Sequence, residues 1–333
     1  MAEKSIIEKI EEAGLTGRSG GGFPTHLKWQ AVKQAKGKKK YVVCNGSEGE
    51  PGVFKDKYIL ENEPLKVIEG MKIALKELGA ASGYLYLNPD YYQTMKTPLG
   101  RLISDLPIEI FKKPSGYLAG EETVLLNAIE GKALEPRLKP PFPSDKGLFG
   151  KPTLINNVET FYWISKIAKS EYKKERFYSI GGAAPNKGVF LFPENLNIAT
   201  ILRQSKNWPG FDFFVQTGGG ASGEILLASE LEKPLKGIGA IIIYNKIKTN
   251  PLLLMQKWVR FFMENNCDKC TPCREGIYRL SEILNKQKTT APPANNKDVQ
   301  TLKDVFLALE KTSLCPLGRI AVLPFKSALQ KLF

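Results

Sequence analysis

Apolar residues recur at helical spacing from the first positions. Ile6, Ile7 and Ile10 share one stripe of the segment 3–13, which predicts an amphipathic helix ended by Gly14. A glycine-rich loop follows at 17–22. The run Lys40-Tyr-Val-Val-Cys44 predicts a short buried strand, and 65–78 returns to helical spacing through Val67, Ile68, Met71, Ile73, Ala74 and Leu75. Residues 84–87 read as another strand, and 121–130 as a helix whose opening acids suit its positive N-terminal end. Strand–helix alternation to about residue 170 predicts an α/β domain.

The period then changes. Short strands are expected at 177–180, 188–192, 211–215 and 240–244, with a brief helix at 197–204, a small α+β module of roughly β-grasp type. From Pro251 onward the spacing is helical, over 253–263, 274–284 and 299–309. The stretch 285–296, with Pro292-Pro293, is the expected flexible connection. Three domains follow: 1–172, 173–247 and 248–333.

Composition changes this picture little. The 333 residues are 42% apolar and 25% charged, as in ordinary soluble globular proteins. No apolar run approaches the ~20 residues of a bilayer span. The charged N-terminus lacks a signal-peptide core, so a cytoplasmic, reducing location is expected. The net charge of +14 raises nucleic-acid binding, but the lysines are spread out apart from Lys38-Lys39-Lys40. No nucleic-acid motif accompanies them, so none is expected to bind; the charge suits anionic cofactors and acidic partner subunits.

Four of the five cysteines carry the strongest chemical signal: Cys267-x2-Cys270-x2-Cys273, then Cys315. Three thiolates at i, i+3 and i+6 can wrap one face of an iron–sulfur cubane, and a distant fourth closes it. Zinc also takes four thiolates, usually as two separated pairs. Disulfides would need an oxidising compartment and would leave Cys44 odd. The lone histidine, His26, is expected to be an ordinary loop residue; by itself it supports neither a triad nor a histidine metal cage.

Three further segments could hold an anionic or flat ligand. Gly17-Arg-Ser-Gly-Gly-Gly-Phe-Pro-Thr25 with Lys28 lets backbone N–H groups crowd a ligand, but it is neither a P-loop nor a strand-first dinucleotide fingerprint. Asn45-Gly-Ser-Glu-Gly-Glu-Pro-Gly52 follows a strand, where α/β domains hold ligands. Gly116-Tyr-Leu-Ala-Gly-Glu-Glu-Thr123 puts paired acids at a loop–helix junction, followed by the proline-held ring of Phe142. Alone, each is also readable as a polar turn, and Phe142 as a core aromatic.

Together these segments resemble one family closely: the NADH-oxidising, FMN-binding subunit of respiratory complex I and its relatives in NAD-linked hydrogenases and formate dehydrogenases. The stretches that carry the resemblance are GRSGGGFPTHLKW (17–29), NGSEGEPGVFKDK (45–57), YLAGEET (117–123), PRLKPPFP (136–143), GLFGKPTLINNVET (147–160), CDKCTPCREG (267–276) and SLCPLG (313–318). They follow the family's order along almost the whole chain.

The resemblance implies an FMN- and NADH-binding α/β domain, then a soluble-ligand-binding β-grasp (SLBB) domain and a helical bundle carrying a [4Fe–4S] cluster on Cys267, Cys270, Cys273 and Cys315. Gly17, Arg18, Gly20, Gly21, Gly22 and Lys28 would line the shared pocket. Asn45, Ser47 and Glu48 would sit at the flavin, with Glu48 as the expected catalytic residue. Gly120, Glu121 and Glu122 would edge it, and Asn156 and Asn157 would hold the flavin from the other side. Phe23 and Phe142 would stack on the adenine of NADH, with Glu50, Glu122 and Lys139 as its polar contacts. NADPH remains open as an alternative. A thioredoxin-like [2Fe–2S] subunit and a larger iron–sulfur, hydrogenase or dehydrogenase subunit are the partners implied. The competing reading is an electron conduit or scaffold that keeps the cluster without productive nicotinamide binding.

Several positions depart from the family's pattern. Ser19 replaces a usual glycine, Ser47 a usual aspartate, and Ala119 a common cysteine. Pro316 replaces a small residue. Ala31 stands where some members place a third adenine-stacking aromatic, with Trp29 nearby as a candidate substitute.

Overall fold

The computed structural model describes residues 4–37, 39–287 and 296–333. Strands β1 (Tyr41–Gly46), β2 (Ser82–Leu87), β3 (Ile108–Lys112) and β4 (Thr153–Asn157) form a parallel sheet in the order β3-β2-β1-β4. Its side chains alternate between two cores. Val42, Cys44, Leu85, Leu87 and Leu154 meet helices Ile6–Ala13, Thr25–Gln34, Pro64–Leu78 and Val158–Ala168. Tyr41, Val43, Tyr86 and Ile155 meet helix Glu122–Ile129 and Leu148. A parallel sheet needs both faces covered, and here each face receives one side of the period-2 pattern.

The chain leaves β1 for β2 on one side, and β4 returns on the other. The carboxyl ends of β1 and β4 therefore open onto the crevice where the strand order reverses, the place α/β sheets offer to ligands. The first helix starts at Ile6, capped by Ser5 in a capping box with Glu8; residue 3 lies outside the described residues. The stretch after the glycine loop forms helix Thr25–Gln34, an element the sequence reading did not assign. His26 accordingly sits in a helical first turn, part-buried, with Nε2 3.7 Å from Glu11 Oε1.

Strands β5 (Glu175–Gly182), β6 (Gly188–Pro193), β7 (Phe213–Thr217), β8 (Glu224–Leu227) and β9 (Ala240–Asn245) form a second, mixed sheet, β6-β5-β9-β7-β8. Only β5 and β9 pair parallel. Helix Ile198–Gln204, capped by Asn197, buries Ile198, Ile201 and Leu202 with Tyr178, Ile180, Val215, Ile241 and Ile243 of this sheet. The strand expected at 211 begins two residues later.

Helices Pro251–Asn265, Thr271–Lys286, Asn296–Thr312, Pro316–Ile320 and Val322–Lys331 complete the chain. Their core also takes Leu118 and Val124 from the first layer and Phe214, Ala221 and Ile225 from the second, so it joins all three. Helix Val322–Lys331 closes the exposed edge of β8: Ser327 Oγ accepts from Ile225 N–H (2.9 Å) and Lys331 Nζ donates to its carbonyl (2.8 Å). Of the connection expected at 285–296, the first two residues are helical and Asn296 opens the next helix. Pro292-Pro293 lie outside the described residues, as does Lys38.

Candidate functional site

A cavity of about 1210 Å³ opens at the carboxyl ends of β1 and β4. That exceeds the roughly 300–1,000 Å³ of common ligand sites, so it has room for more than one ring system. Gly17, Gly20, Gly21, Gly22, Phe23, Lys28, Asn45, Ser47, Glu48, Glu50, Gly120, Glu121, Glu122, Lys139, Phe142, Asn156 and Asn157 all line it. Arg18 does not. Its guanidinium is buried on the far side of the loop, where Nη2 donates to Glu194 Oε2 (2.6 Å) and Tyr172 Oη (2.8 Å). A buried cation needs such a partner, and Glu194, just past Pro193, does not line the cavity.

The rim is aromatic and acidic. Phe23 and Phe142 are 53% and 56% exposed, so neither ring is a core aromatic. Ala31 lines the same wall, but Trp29 turns into the core, fully buried, and cannot replace a third ring. With its amide turned to face the indole, Asn156 accepts from Trp29 Nε1 (3.0 Å) and donates to the Ile155 carbonyl (2.9 Å). Glu121 caps helix Glu122–Ile129 by accepting from Thr123 N–H (2.8 Å) and Val124 N–H (3.1 Å). Lys139 pairs with Glu121 (3.1 Å) and Glu122 (2.7 Å), and Lys28 with Glu122 (3.2 Å). Burial alone would raise the Glu122 carboxyl; the two lysines outweigh it and hold the group below its ordinary range.

The floor is a polar network. Asn45 Nδ2 donates to the Gly120 carbonyl (3.0 Å), which ties the β1 loop to the paired acids. Glu48 accepts from Asp56 N–H (2.8 Å), Lys57 N–H (3.0 Å) and Tyr91 O–H (2.7 Å). Burial, then the nearby Asp56 charge, push its carboxyl up to about 7. Beneath it Lys55 Nζ meets Asp56 Oδ1 (2.5 Å), Glu159 Oε2 (3.1 Å) and Asn157 Oδ1 (3.1 Å). Asn157 Nδ2 donates to Asp56 Oδ2 (2.6 Å), and its oxygen also caps helix Val158–Ala168. Both ends of the Asn157 amide are thus committed inside the protein.

The sequence reading missed several wall residues. Lys55, Asp56 and Glu159 carry the floor; they fall within the quoted stretches 45–57 and 147–160 but were assigned no role there. The run Gly218-Gly-Gly-Ala-Ser-Gly223, after β7, contributes Gly218, Ser222 and Gly223 to the cavity and was a findable glycine signal. Glu50 Oε1 accepts from Ala221 N–H (2.8 Å) and Ser222 N–H (2.7 Å) in that loop. The approach requires Gly219: its φ is +133°, and a Cβ there would overlap the Glu50 side chain. Glu50 Oε2 and Thr25 Oγ1 are buried without a hydrogen-bond partner. Both residues line the cavity, which fits a site built for a ligand with donors of its own.

The cysteine quartet closes at the other end. Cys270 is the N-cap of helix Thr271–Lys286, Cys273 lies in its first turn, and Cys315 is the N-cap of Pro316–Ile320; these positions favour thiolates. Asp268, at φ +53°, turns the chain between Cys267 and Cys270. Burial, then the Cys270, Cys315 and Cys267 sulfurs, push the Cys273 thiol up to about 12. Burial also raises Cys315, against which the N–H groups of Leu317 and Gly318 donate to its sulfur. Such a crowd of thiols suits a cationic centre that binds thiolates. Four thiols from one loop and two helix N-termini are the donor set that holds an iron–sulfur cubane at its corners. Cys44 is buried in β1, apart from this set. Pro316, Leu317, Arg319 and Ile320, just past Cys315, line the cavity itself.

A large cavity whose wall includes the residues just past the last of four clustered cysteines defines the class: an oxidoreductase subunit that couples a flavin to an iron–sulfur cluster. Residues 10–166 match the model of the Nuo51 FMN-binding domain, and 253–332 that of the NADH-ubiquinone oxidoreductase-F iron-sulfur binding region. The F 2 subunit of NADH-quinone oxidoreductase from Rhizobium meliloti (strain 1021) is 30% identical over 366 residues, covering 98% of this chain and 86% of that one. The alpha subunit of the NAD-reducing hydrogenase HoxS of Cupriavidus necator is 32% identical, covering 99% of this chain and 60% of that one. A crystal structure of NAD+-reducing [NiFe]-hydrogenase in the air-oxidized state contains a chain with a TM-score of 0.88 and 27% identity; the match covers 98% of this chain and 62% of that one. The chain thus spans about three fifths of those hydrogenase chains. It belongs to the NADH-quinone oxidoreductase F family, flavin oxidoreductases with an FMN-binding domain and a [4Fe–4S] region.

Proposed function

We propose that this chain binds FMN and NAD(H) in the cavity, exchanges a hydride between them, and passes single electrons to a [4Fe–4S] cluster on Cys267, Cys270, Cys273 and Cys315. The observation that carries the reading is the shared cavity. Its walls include the glycine loop, the β1 loop and Asn156-Asn157, and also the residues immediately after Cys315. When bound, FMN supplies the conversion between a two-electron hydride and single electrons. The protein's residues orient and insulate. Gly17–Gly22 would bring backbone against the flat ring, and Asn45 and Ser47 would hold its edge. Glu48 holds or yields a proton near neutrality at the carboxylate oxygens. Phe23 and Phe142 would stack on the adenine, with Glu122 and Lys139 as polar contacts of the dinucleotide and Glu50 bracing the wall.

The mixed sheet with its single helix supports an SLBB-like domain over 173–247, between the FMN domain at 1–172 and a cluster-bearing helical bundle at 248–333. We place the subunit in a cytoplasmic complex with a thioredoxin-like [2Fe–2S] subunit and a larger iron–sulfur, hydrogenase or dehydrogenase subunit. No helix among the described residues is long and apolar enough to cross a membrane. The conduit reading without nicotinamide binding is not favoured, because the positions expected at the dinucleotide line the same cavity. The test is anaerobic titration of cofactor-replete protein with NADH and, separately, NADPH. The expected result is bleaching of the flavin absorbance by at least one. A flavin that neither reduces, but a partner protein does, would make the chain a conduit.

A further inference from the structure

We infer that Tyr117 is a positioning residue for electron exit, an aromatic bridge between the cavity and the cysteine quartet held at its distance by Asn265. This rests on the FMN and cluster assignment above. Three aromatic residues line the cavity, Phe23, Phe142 and Tyr117. The two phenylalanines are exposed at the rim; among the described residues only Tyr117 also packs against the core that contains Cys273 and Cys315. On the cavity side its ring lies along Gly49, where a Cβ would be 3.5 Å from Tyr117 Cδ2, and its hydroxyl stands beside Glu50 and Ser222. The same hydroxyl is within electrostatic reach of Cys315, and the Phe261 ring, from the helix that leads to Cys267, lies 5.1 Å from the Tyr117 ring.

The backbone around Tyr117 is tied to the cluster loop. Tyr117 N–H donates to Asn265 Oδ1 (2.6 Å), and Asn265 Nδ2 donates to the Phe261 carbonyl (2.8 Å). Asn265 ends helix Pro251–Asn265, two residues before Cys267. On the preceding turn the buried Lys113 Nζ donates to the Gly116 carbonyl (2.6 Å). One side-chain amide therefore fixes a cavity-lining loop against the segment that enters the first cluster ligand. Electron tunnelling falls steeply with the width of any gap, and a close-packed ring leaves none. One electron crosses from the flavin side to the cluster side, no bond in the polypeptide forms or breaks, and the ring is neither oxidised nor reduced. The second electron would follow after the cluster has passed the first to an iron–sulfur partner subunit.

The experiment compares wild type, Tyr117→Phe, Tyr117→Leu and Asn265→Ala, each holding both cofactors, after rapid anaerobic mixing with NADH. Flavin bleaching is followed optically and cluster reduction by freeze-quench EPR. The lag between the two should lengthen several-fold in Tyr117→Leu and stay near wild type in Tyr117→Phe, which keeps the ring. A wild-type lag in Tyr117→Leu overturns the bridge. Should that variant fail to hold cofactors, Asn265→Ala carries the test through amide hydrogen exchange in cofactor-free protein. Exchange should rise together at 116–118 and 266–270, and a rise at neither or only one segment overturns the strut. Failure of the functional reading shows separately, as a wild-type flavin that NADH does not bleach; photoreduction of the flavin then still reads the lag.

Discussion

Glu48 and Lys55 show how differently single residues can be charged within one network. Lys55 is fully buried, yet Asp56 and Glu159 hold it in its charged form against the cost of burial. Glu48 gains less compensation, and its carboxyl rises from 4.5 to about 7. Below 4.5 the group is protonated whether the chain is folded or not. Between 4.5 and about 7 the folded chain holds a proton that the unfolded chain releases, so this contribution to stability is lost as pH rises through that window. Glu48→Gln should flatten the dependence of the denaturation midpoint on pH there; an unchanged slope would remove Glu48 as its source. The cavity loop around Glu48 was legible because its residues are polar and consecutive. The meeting of the Lys55–Asp56 pair with Asn157 and Glu159 was not, because it needs about a hundred residues of intervening chain to fold first.

At the scale of elements, helices Pro64–Leu78 and Val158–Ala168 approach to backbone contact. Gly70 makes it possible: a Cβ there would overlap the Phe161 carbonyl oxygen, which is backbone and cannot swing aside. Gly70→Ala gains about 1 kcal/mol of helix propensity but must force the helices apart, at a cost of roughly 1–3 kcal/mol or more. Thermal or denaturant unfolding should show a net loss; a stabilised variant would contradict the packing. Elements with a clean period were readable, such as 65–78, found at Pro64–Leu78, and 240–244, found at Ala240–Asn245. Others hid for identifiable reasons. Helix Pro89–Leu102 contains Pro98, a residue that normally breaks a helix. Strand β4 ends in two asparagines, poor strand formers kept for their roles beside the cavity. Helix Thr25–Gln34 buries only Thr25, Trp29 and Val32, too few for a visible stripe.

At the scale of the molecule, the cysteine core belongs to no single layer, since Leu118, Val124, Phe214 and Ile225 pack into it with Cys273 and Cys315. Removing one ligand should be felt beyond the cluster. In Cys315→Ser we expect loss of the cluster's EPR signal, a lower Tm, and weaker FMN retention on gel filtration, because Pro316–Ile320 form part of the cavity wall. Full FMN retention would show that the wall stands without the cluster. The spread of that wall along the chain has a further bearing, on biogenesis. Its residues run from Gly17 to Leu323. Domains fold from the N-terminus as they leave the ribosome. The parallel sheet can therefore form early, but the pocket has no complete outline until Leu323 has emerged. Completion of the flavin pocket thus falls late, alongside or behind cluster delivery, and a product truncated before Cys315 would lack the Pro316–Leu323 part of its wall.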